Sequence, residues 1–125
     1  MILDTIALSA VLDGESDIAT IAASPGPFWL PAIVIGEYRF GLLCSKKRQR
    51  LESYFQQLVS KCTVLQVDQH TAEIYAQIRF ELKQKGRPLP DNDIWIAALA
   101  RQHNLSLVTR DSHFDVVDGI RRMSW

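Results

Sequence analysis

Four acidic side chains, widely separated along the chain, are the residues most suited to catalysis: Asp4, Glu37, Asp93 and Asp111. Carboxylates that come together repel one another, so such a cluster persists only if protons or cations neutralise it. The four offer hard oxygen ligands only, which favours Mg²⁺ or Mn²⁺ over zinc. An all-carboxylate metal site with open coordination is typical of phosphodiester cleavage, because the metal makes bound water a nucleophile at neutral pH.

The second half of the chain carries two of these acids at positions where a fold could use them. A helix is predicted after Pro90, with Asp93 in its first turn and Asn104 as its left-handed end. The apolar run 105–108 then predicts a short buried strand, and Asp111 comes just past its end. In a parallel α/β sheet, ligands bind outside the carboxyl ends of the strands. We therefore expect Asp111 at such a site, with Asp93 one helix upstream.

The first half places the other two acids in a similar way. A very short strand is predicted at 1–3, ending at Asp4, and a second strand at 28–30. The helix that follows from Pro31 carries Glu37, and apolar neighbours on that helix favour a partly sheltered position for it. All four acids are thus expected at one edge of the sheet.

The remaining elements complete an alternation of strands and helices. Further helices are predicted at 5–12 and 16–23, around the apolar stripe 51–59, and at 68–85, with strands at 63–67 and, at an edge, 120–125. The long helix is expected to begin at the N-cap Asp68, to end before Gly86 and to bury Ala72, Tyr75, Ile78, Phe80 and Leu82. This alternation predicts an α/β fold, with a short and mainly parallel central sheet flanked by helices.

Composition limits the classes of protein that fit. The 125 residues suffice for one domain, residues 1–125, with a real core. The formal net charge is zero, so nucleic acid would have to be bound by local basic patches or by metal ions. No apolar run of membrane-spanning length and no signal peptide are present, which predicts a cytoplasmic protein. Cys44 and Cys62 fit no metal or redox spacing, and a disulfide between them is unsupported.

Each acid also has a purely structural alternative. Asp4 could satisfy backbone donors of the next helix, Glu37 could face water, and Asp111 could be a turn residue. Asp91 and Asp93 could both serve the helix start, an effect of about 1 kcal/mol, and we assign Asp91 to that role. The expected convergence of the other four at one edge favours a functional site over four separate structural roles.

The residues around the acids resemble a known family. The segments 2–5, 36–37, 92–98 and 107–114 look like the four acidic motifs of PIN domains. More narrowly, they resemble those of VapC-type toxins from bacterial and archaeal toxin–antitoxin pairs. The resemblance spans the whole chain and implies a three-layer α/β/α PIN-like fold.

The resemblance further implies a Mg²⁺- or Mn²⁺-dependent endoribonuclease that acts on tRNA or rRNA. It also implies a cognate VapB-like antitoxin and a homodimer. By position, Asp4, Glu37, Asp93 and Asp111 would form the catalytic site, and the three aspartates would bind the metal. Thr5 would support them as a hydroxyl that orients a carboxylate or water.

One departure from the family pattern is Ile6, where a small polar residue usually stands. An apolar side chain cannot hydrogen-bond the acids, which leaves open a weak or inactive module that works through its antitoxin. A DNA-cleaving relative also remains open. A phosphoacceptor receiver domain is a further alternative, but it would need adjacent acids after the first strand and a late lysine, and the chain has only Asp4 there.

Several other side chains are candidates for substrate contact. Arg110 and His113 follow the last predicted buried strand, although a locally hydrogen-bonded turn residue is the slightly favoured interpretation of His113. Asp115 is a possible fifth acid, with a surface cap favoured. Two basic groups, 46–50 and 79–87, could bind RNA phosphate or simply face solvent. The tryptophans and other aromatics are interpreted as core or dimer-interface residues rather than base-stacking platforms.

Overall fold

The computed structural model describes residues 1–125 as an alternation of strands and helices. The strands are β1 (Ile2–Leu3), β2 (Trp29–Pro31), β3 (Thr63–Leu65), β4 (Leu107–Val108) and β5 (Arg122–Met123). The helices are α1 (Thr5–Leu12), α2 (Ala19–Ala22), α3 (Ala32–Cys44), α4 (Arg48–Lys61), α5 (Gln69–Lys85) and α6 (Asp91–His103), with a 3-10 helix at Ser112–Val116. None of the helices combines the length and the apolar character that a membrane span requires.

All five strands are parallel and lie in the order β3-β2-β1-β4-β5. The central strand β1 pairs Ile2 with Trp29 of β2 on one side and with Leu107 of β4 on the other. The chain order reverses between β1 and β4, which is where open α/β sheets form their ligand crevices. The predicted short parallel sheet flanked by helices is confirmed.

The core holds the elements on both sides of that crevice firmly in place. Strands β1 and β4 are completely buried, and so is every residue of α6 from Ile96 to Ala100. Three alanines in that stretch keep the buried side of α6 small, so the helix can approach its neighbours closely. The first turn of α6 is therefore fixed relative to the ends of β1 and β4.

The helix ends at Asp68, Gly86 and Asn104 have the caps that the sequence predicts. Asp68 caps α5 in a capping box with Thr71, and Gly86 ends that helix with φ +65°. Asn104 ends α6 in the left-handed conformation with φ +51°. A side chain with little steric bulk near the backbone is favoured at such a position.

The predicted buried face of α5 is wrong in part. Ile78 and Leu82 are buried as expected, but Ala72 is exposed and Phe80 is 60% exposed. The buried stripe instead follows Thr71 and Ile74, at the three- and four-residue spacing that one face of a helix requires. Residues 72 and 80 lie off that stripe, so their apolar side chains point away from the core.

Candidate acidic site

Asp4 occupies the carboxyl end of β1 and is 4% exposed. Its backbone N–H donates to Val108 O (3.3 Å), which joins it to the end of β4. Its Oδ1 accepts from the Ala7 N–H (2.7 Å) and thereby caps α1. Asp4 thus caps α1 and also lies at the predicted site position. The two are compatible because the cap is a single hydrogen bond to Oδ1.

Burial raises the pKa of Asp4 above its ordinary value. Hydrogen bonds from the Thr109 side chain and from the Ala7 and Ile6 N–H groups favour the ionised form and oppose that rise, while the negative charge of Asp111 adds to it. Position 6 therefore supports Asp4 through its backbone N–H, whatever its side chain. The Ile6 side chain itself is 46% exposed.

Glu37 reaches the same region from the second turn of α3 and is half-buried, as predicted. Its Oε1 accepts a hydrogen bond from the Thr5 hydroxyl (2.9 Å). Thr5 is the first residue of α1, directly after Asp4, so one short segment fixes both a buried aspartate and the orientation of a glutamate 32 positions away. This contact would be the physical basis of the supporting role of Thr5, which stays a prediction.

Asp93 lies in the first turn of α6, and its pKa is raised to about 6. Desolvation is the largest cause, and the charges of Asp111, Glu37 and Asp4, in that order, act in the same direction. The nearby His113 acts in the opposite direction. Since charge repulsion of this kind falls off with distance, the four acids form one electrostatic group.

Asp111 caps the 3-10 helix after β4, and its Oδ1 accepts from the His113 N–H (2.9 Å). The His113 ring Nδ1 also lies 2.9 Å from that oxygen, and the ring is 78% exposed. The favoured interpretation of His113, a locally hydrogen-bonded turn residue, agrees with this geometry. Asp111 keeps 26% of its side chain exposed, so it faces solvent from the rim of the acidic group.

Thr109 is a residue that the sequence reasoning did not single out. It is completely buried, one residue past β4, and its hydroxyl accepts the Asp111 N–H (2.9 Å) while its side chain also hydrogen-bonds Asp4. A single hydroxyl thus connects two of the acids. The signal available in the sequence was a threonine two residues before Asp111, at the end of an apolar run.

The carboxylates are close enough to perturb one another, but they are not closed around a single point. No three His, Cys, Asp or Glu side chains are arranged to hold a metal ion as they stand. Their chemistry fits a hard divalent cation, because all four are oxygen donors and the repulsion among them raises the pKa of Asp93. A cation would relieve that repulsion if the side chains rotated towards it.

Other predicted candidates are engaged in structural contacts. Arg110 Nη2 forms an ion pair with Glu15 (2.6 Å), and its guanidinium lies 4.5 Å from the centroid of the Trp125 ring. Asp115 forms a two-pronged ion pair with Arg122 (2.7 and 2.9 Å), which differs from the surface cap that we favoured. Neither side chain is directed at the acidic group by these contacts.

Two open clefts meet at Thr5 and Glu37. One, of about 650 Å³, passes Ile33, Phe40 and Asn92. The other, of about 440 Å³, runs between α1, α3 and the α3–α4 turn as far as Lys46 and Lys47. We call the second one the basic cleft.

A model of the PIN-domain family matches residues 1–120, nearly the whole chain. The chain belongs to the PIN-domain family. Ribonuclease VapC5 of Mycobacterium tuberculosis is 32% identical to it, over 94% of the chain and 93% of that protein. The tRNA(fMet)-specific endonuclease VapC of Shigella flexneri is also 32% identical, over 80% of the chain and 76% of that protein.

The solved structures agree with this assignment. The DNA-bound VapBC complex of Salmonella typhimurium superposes with a TM-score of 0.88 at 27% identity, covering 99% of the chain and 96% of that one. The predicted family, a VapC-type PIN domain, is confirmed, together with the PIN-like α/β fold and the ribonuclease class. The receiver-domain alternative is therefore wrong.

Proposed function

We propose that this protein is the toxin of a type II toxin–antitoxin pair and hydrolyses RNA phosphodiester bonds in a reaction that depends on Mg²⁺ or Mn²⁺. The observation that carries the site assignment is that Asp4 and Asp111 follow the adjacent parallel strands β1 and β4. The pKa of Asp93, raised to about 6 by desolvation and by the charges of Asp111, Glu37 and Asp4, supports it. Strong perturbation by burial and by like charges in an open crevice is characteristic of functional groups.

In this proposal Asp4, Asp93 and Asp111 hold the divalent cation, which supplies an activated water and stabilises charge on the phosphate oxygens. Asp4 and Asp111 follow the ends of adjacent strands, and the buried Thr109 hydroxyl accepts the Asp111 N–H and acts on the Asp4 carboxylate. Glu37, oriented by Thr5, is placed where the two clefts meet and would position the attacking water. Catalysis would thus rest on positioning and electrostatics.

We assign RNA as the substrate because the VapC5 and tRNA(fMet)-specific relatives are ribonucleases by name. A tRNA or an rRNA would then be the natural target. The VapBC complexes among the structural neighbours support a VapB-like antitoxin as partner. A homodimer, a cytoplasmic location and a single nuclease domain over residues 1–125 complete the proposal.

The direct test is RNA cleavage by the purified protein, freed of any antitoxin, with Mn²⁺ or with EDTA. We expect cleavage with the metal only, and expect it to be lost in Asp93→Asn while circular dichroism shows an intact fold. Asp115→Asn is the matched control, because it removes the same charge outside the acidic group.

A DNA oligonucleotide of the same sequence serves as the second substrate and distinguishes an RNase from a DNA-cleaving relative. Equal cleavage by wild type and Asp93→Asn would contradict the site. A folded wild type that cleaves neither substrate with either metal would favour the binding-module alternative raised by Ile6.

A further inference from the structure

The basic cleft joins the acidic group to the two lysines at the α3–α4 turn. Thr5 and Glu37 stand at one end and Lys46 and Lys47 at the other, and α1 lines the cleft with Ser9 and, at its C-terminal end, Asp13. Glu37 lies seven residues before Cys44, the last residue of α3, and the lysines follow just beyond it. At 1.5 Å per helical residue the helical part alone is roughly 10 Å, the rise of about three stacked nucleotides at 3.4 Å each.

The charges of these lysines are free for a ligand. Neither Lys46 nor Lys47 lies within ion-pair distance of an acid, although both are exposed. Arg39, the neighbouring cation on α3, is by contrast paired with Glu52 of α4. Asp13 lines the same cleft and offsets part of this charge, but it forms no ion pair with either lysine. The two lysines thus leave a local excess of positive charge at this end of the cleft.

The α3–α4 hairpin that carries the lysines is held rigidly. Tyr38 and Phe55 pack with ring centroids 4.8 Å apart, and the Arg39 guanidinium lies 4.9 Å from the Phe55 ring as well as pairing with Glu52. The Ser45 hydroxyl accepts the Lys47 N–H (3.0 Å), which fixes the turn itself. The turn therefore fixes the backbone of both lysines relative to Glu37, and their side chains extend from there into solvent.

We infer that Lys46 and Lys47 bind the RNA backbone a few nucleotides from the bond that is cut, so that the basic cleft is a single-strand track leading into the acidic site. This inference rests on the proposed ribonuclease function. Ser9, one turn along α1 from Thr5, can contact a ribose 2′-hydroxyl, the group that distinguishes RNA from DNA. The lysines are positioning residues, because they contact phosphates outside the reacting bond.

The test measures binding separately from cleavage. A fluorescein-labelled oligouridylate is titrated, at several salt concentrations with Mg²⁺, against Asp93→Asn protein and against the same protein with Lys46→Gln and Lys47→Gln. Loss of two phosphate contacts should lower the slope of log affinity against log salt by about 1.4 for single strands, and affinity at low salt should fall about tenfold or more. The control pair, Lys61→Gln with Lys83→Gln, removes equal charge outside the cleft.

In the cleavage assay, with the Asp93 side chain restored, the Lys46 and Lys47 variant should raise KM and leave kcat nearly unchanged. An unchanged salt slope, an equal loss in the control pair, or no RNA binding by the parent would overturn the inference. Cleavage with unaltered KM would overturn the inference but leave the ribonuclease function standing. RNA binding that depends on these lysines, by a protein that never cleaves RNA, would support the inference and overturn the ribonuclease function.

Discussion

Two groups of carboxylates in this protein differ in whether basic side chains pair with them. Around β5 each acid has its own cation: Asp115 pairs with Arg122, Glu81 with Arg101 and Asp118 with Lys85. At the ends of β1 and β4, none of the four acids has an arginine or lysine within ion-pair distance. The pairing with Arg122 lowers the pKa of Asp115, whereas burial and repulsion raise the pKa of Asp93.

This contrast in pairing distinguishes acids that stabilise the fold from acids that could form a functional site. Acids that merely stabilise the fold can be neutralised by fixed basic side chains, as around β5. Acids that must exchange a cation, water and substrate have to be left without such partners, and the fold bears the resulting repulsion. This difference can be tested by making the same Asp→Asn substitution in each group and comparing the effects.

The largest difference is expected in catalysis. Asp111→Asn should reduce RNA cleavage on the order of a hundredfold or more, as does removal of one preorganised electrostatic contact in other enzymes. Asp115→Asn, four residues later, should leave the rate within about threefold, since surface pairs of this kind contribute little. Initial rates at saturating Mn²⁺ check both variants, and similar losses in the two would remove the distinction.

A smaller effect is expected on metal-linked stability. Mn²⁺ at about 100 times its dissociation constant should stabilise the native state by roughly 2.7 kcal/mol, since it binds the folded form only. For a domain of this size that corresponds to several degrees of Tm. Differential scanning fluorimetry should show the shift in wild type and Asp115→Asn but much less of it in Asp93→Asn; the same shift in all three would place the ion elsewhere.

Without metal, removal of one carboxylate charge should change the stability of the protein in opposite directions in the two groups. The pKa of Asp93 is raised from 3.8 to about 6, so the folded state binds the proton more tightly than the unfolded chain. Its favourable contribution is complete below pH 3.8 and is lost as the pH rises through 6. At pH 7.5 Asp93→Asn should therefore stabilise the protein by about 1–2 kcal/mol, after allowance for solvent screening.

The corresponding change at Asp115 should lower stability or leave it unchanged, because the pKa of that carboxyl is lowered by its partner. Urea unfolding in EDTA at pH 7.5 and at pH 4 measures both variants. The gain in Asp93→Asn should be largely lost at pH 4, where the wild-type carboxyl is protonated in the folded state. A gain that is equal at both pH values would point to a cause other than ionisation.

The smallest effect is predicted for the hydroxyl that orients Glu37. Thr5→Val removes the hydrogen bond to Oε1 and should reduce cleavage roughly tenfold or less, with a stability change of about 1 kcal/mol at most. Thr5→Ser keeps the hydroxyl and should restore most of the rate. Equal activity of the valine and serine variants would show that this contact does not orient Glu37 for the reaction.

Much of this arrangement could be predicted because it depends on local chemistry. Asp68, Gly86 and Asn104 mark helix ends through caps that each need only a few residues. Asp4 and Asp111 follow strands that are readable as apolar runs, and in a parallel sheet strand ends share one edge. The proximity of Asp4 and Asp111 was therefore predictable from the order of the strands, whereas the positions of Glu37 and Asp93 depend on how α3 and α6 pack.

What the sequence did not reveal depends on tertiary partners. Phe80 is apolar but lies off the buried stripe of α5, because which face turns inward is set by packing against α6. Arg110 is paired with Glu15, 95 positions away, and no short-range sequence pattern indicates that contact. Thr109 is a polar residue in the core, and its role exists only once two acids lie on either side of it.

The cap that Asp4 provides for α1 ties this carboxylate to the helix that follows it. Its Oδ1 accepts the Ala7 N–H at 2.7 Å, and this donor would lose its partner in the buried first turn if the side chain rotated away. The orientation of Asp4 is therefore coupled to the start of α1. In the proposed site Asp4 would thus be a fixed point for an incoming ion, and rearrangement on binding would fall to the other three acids.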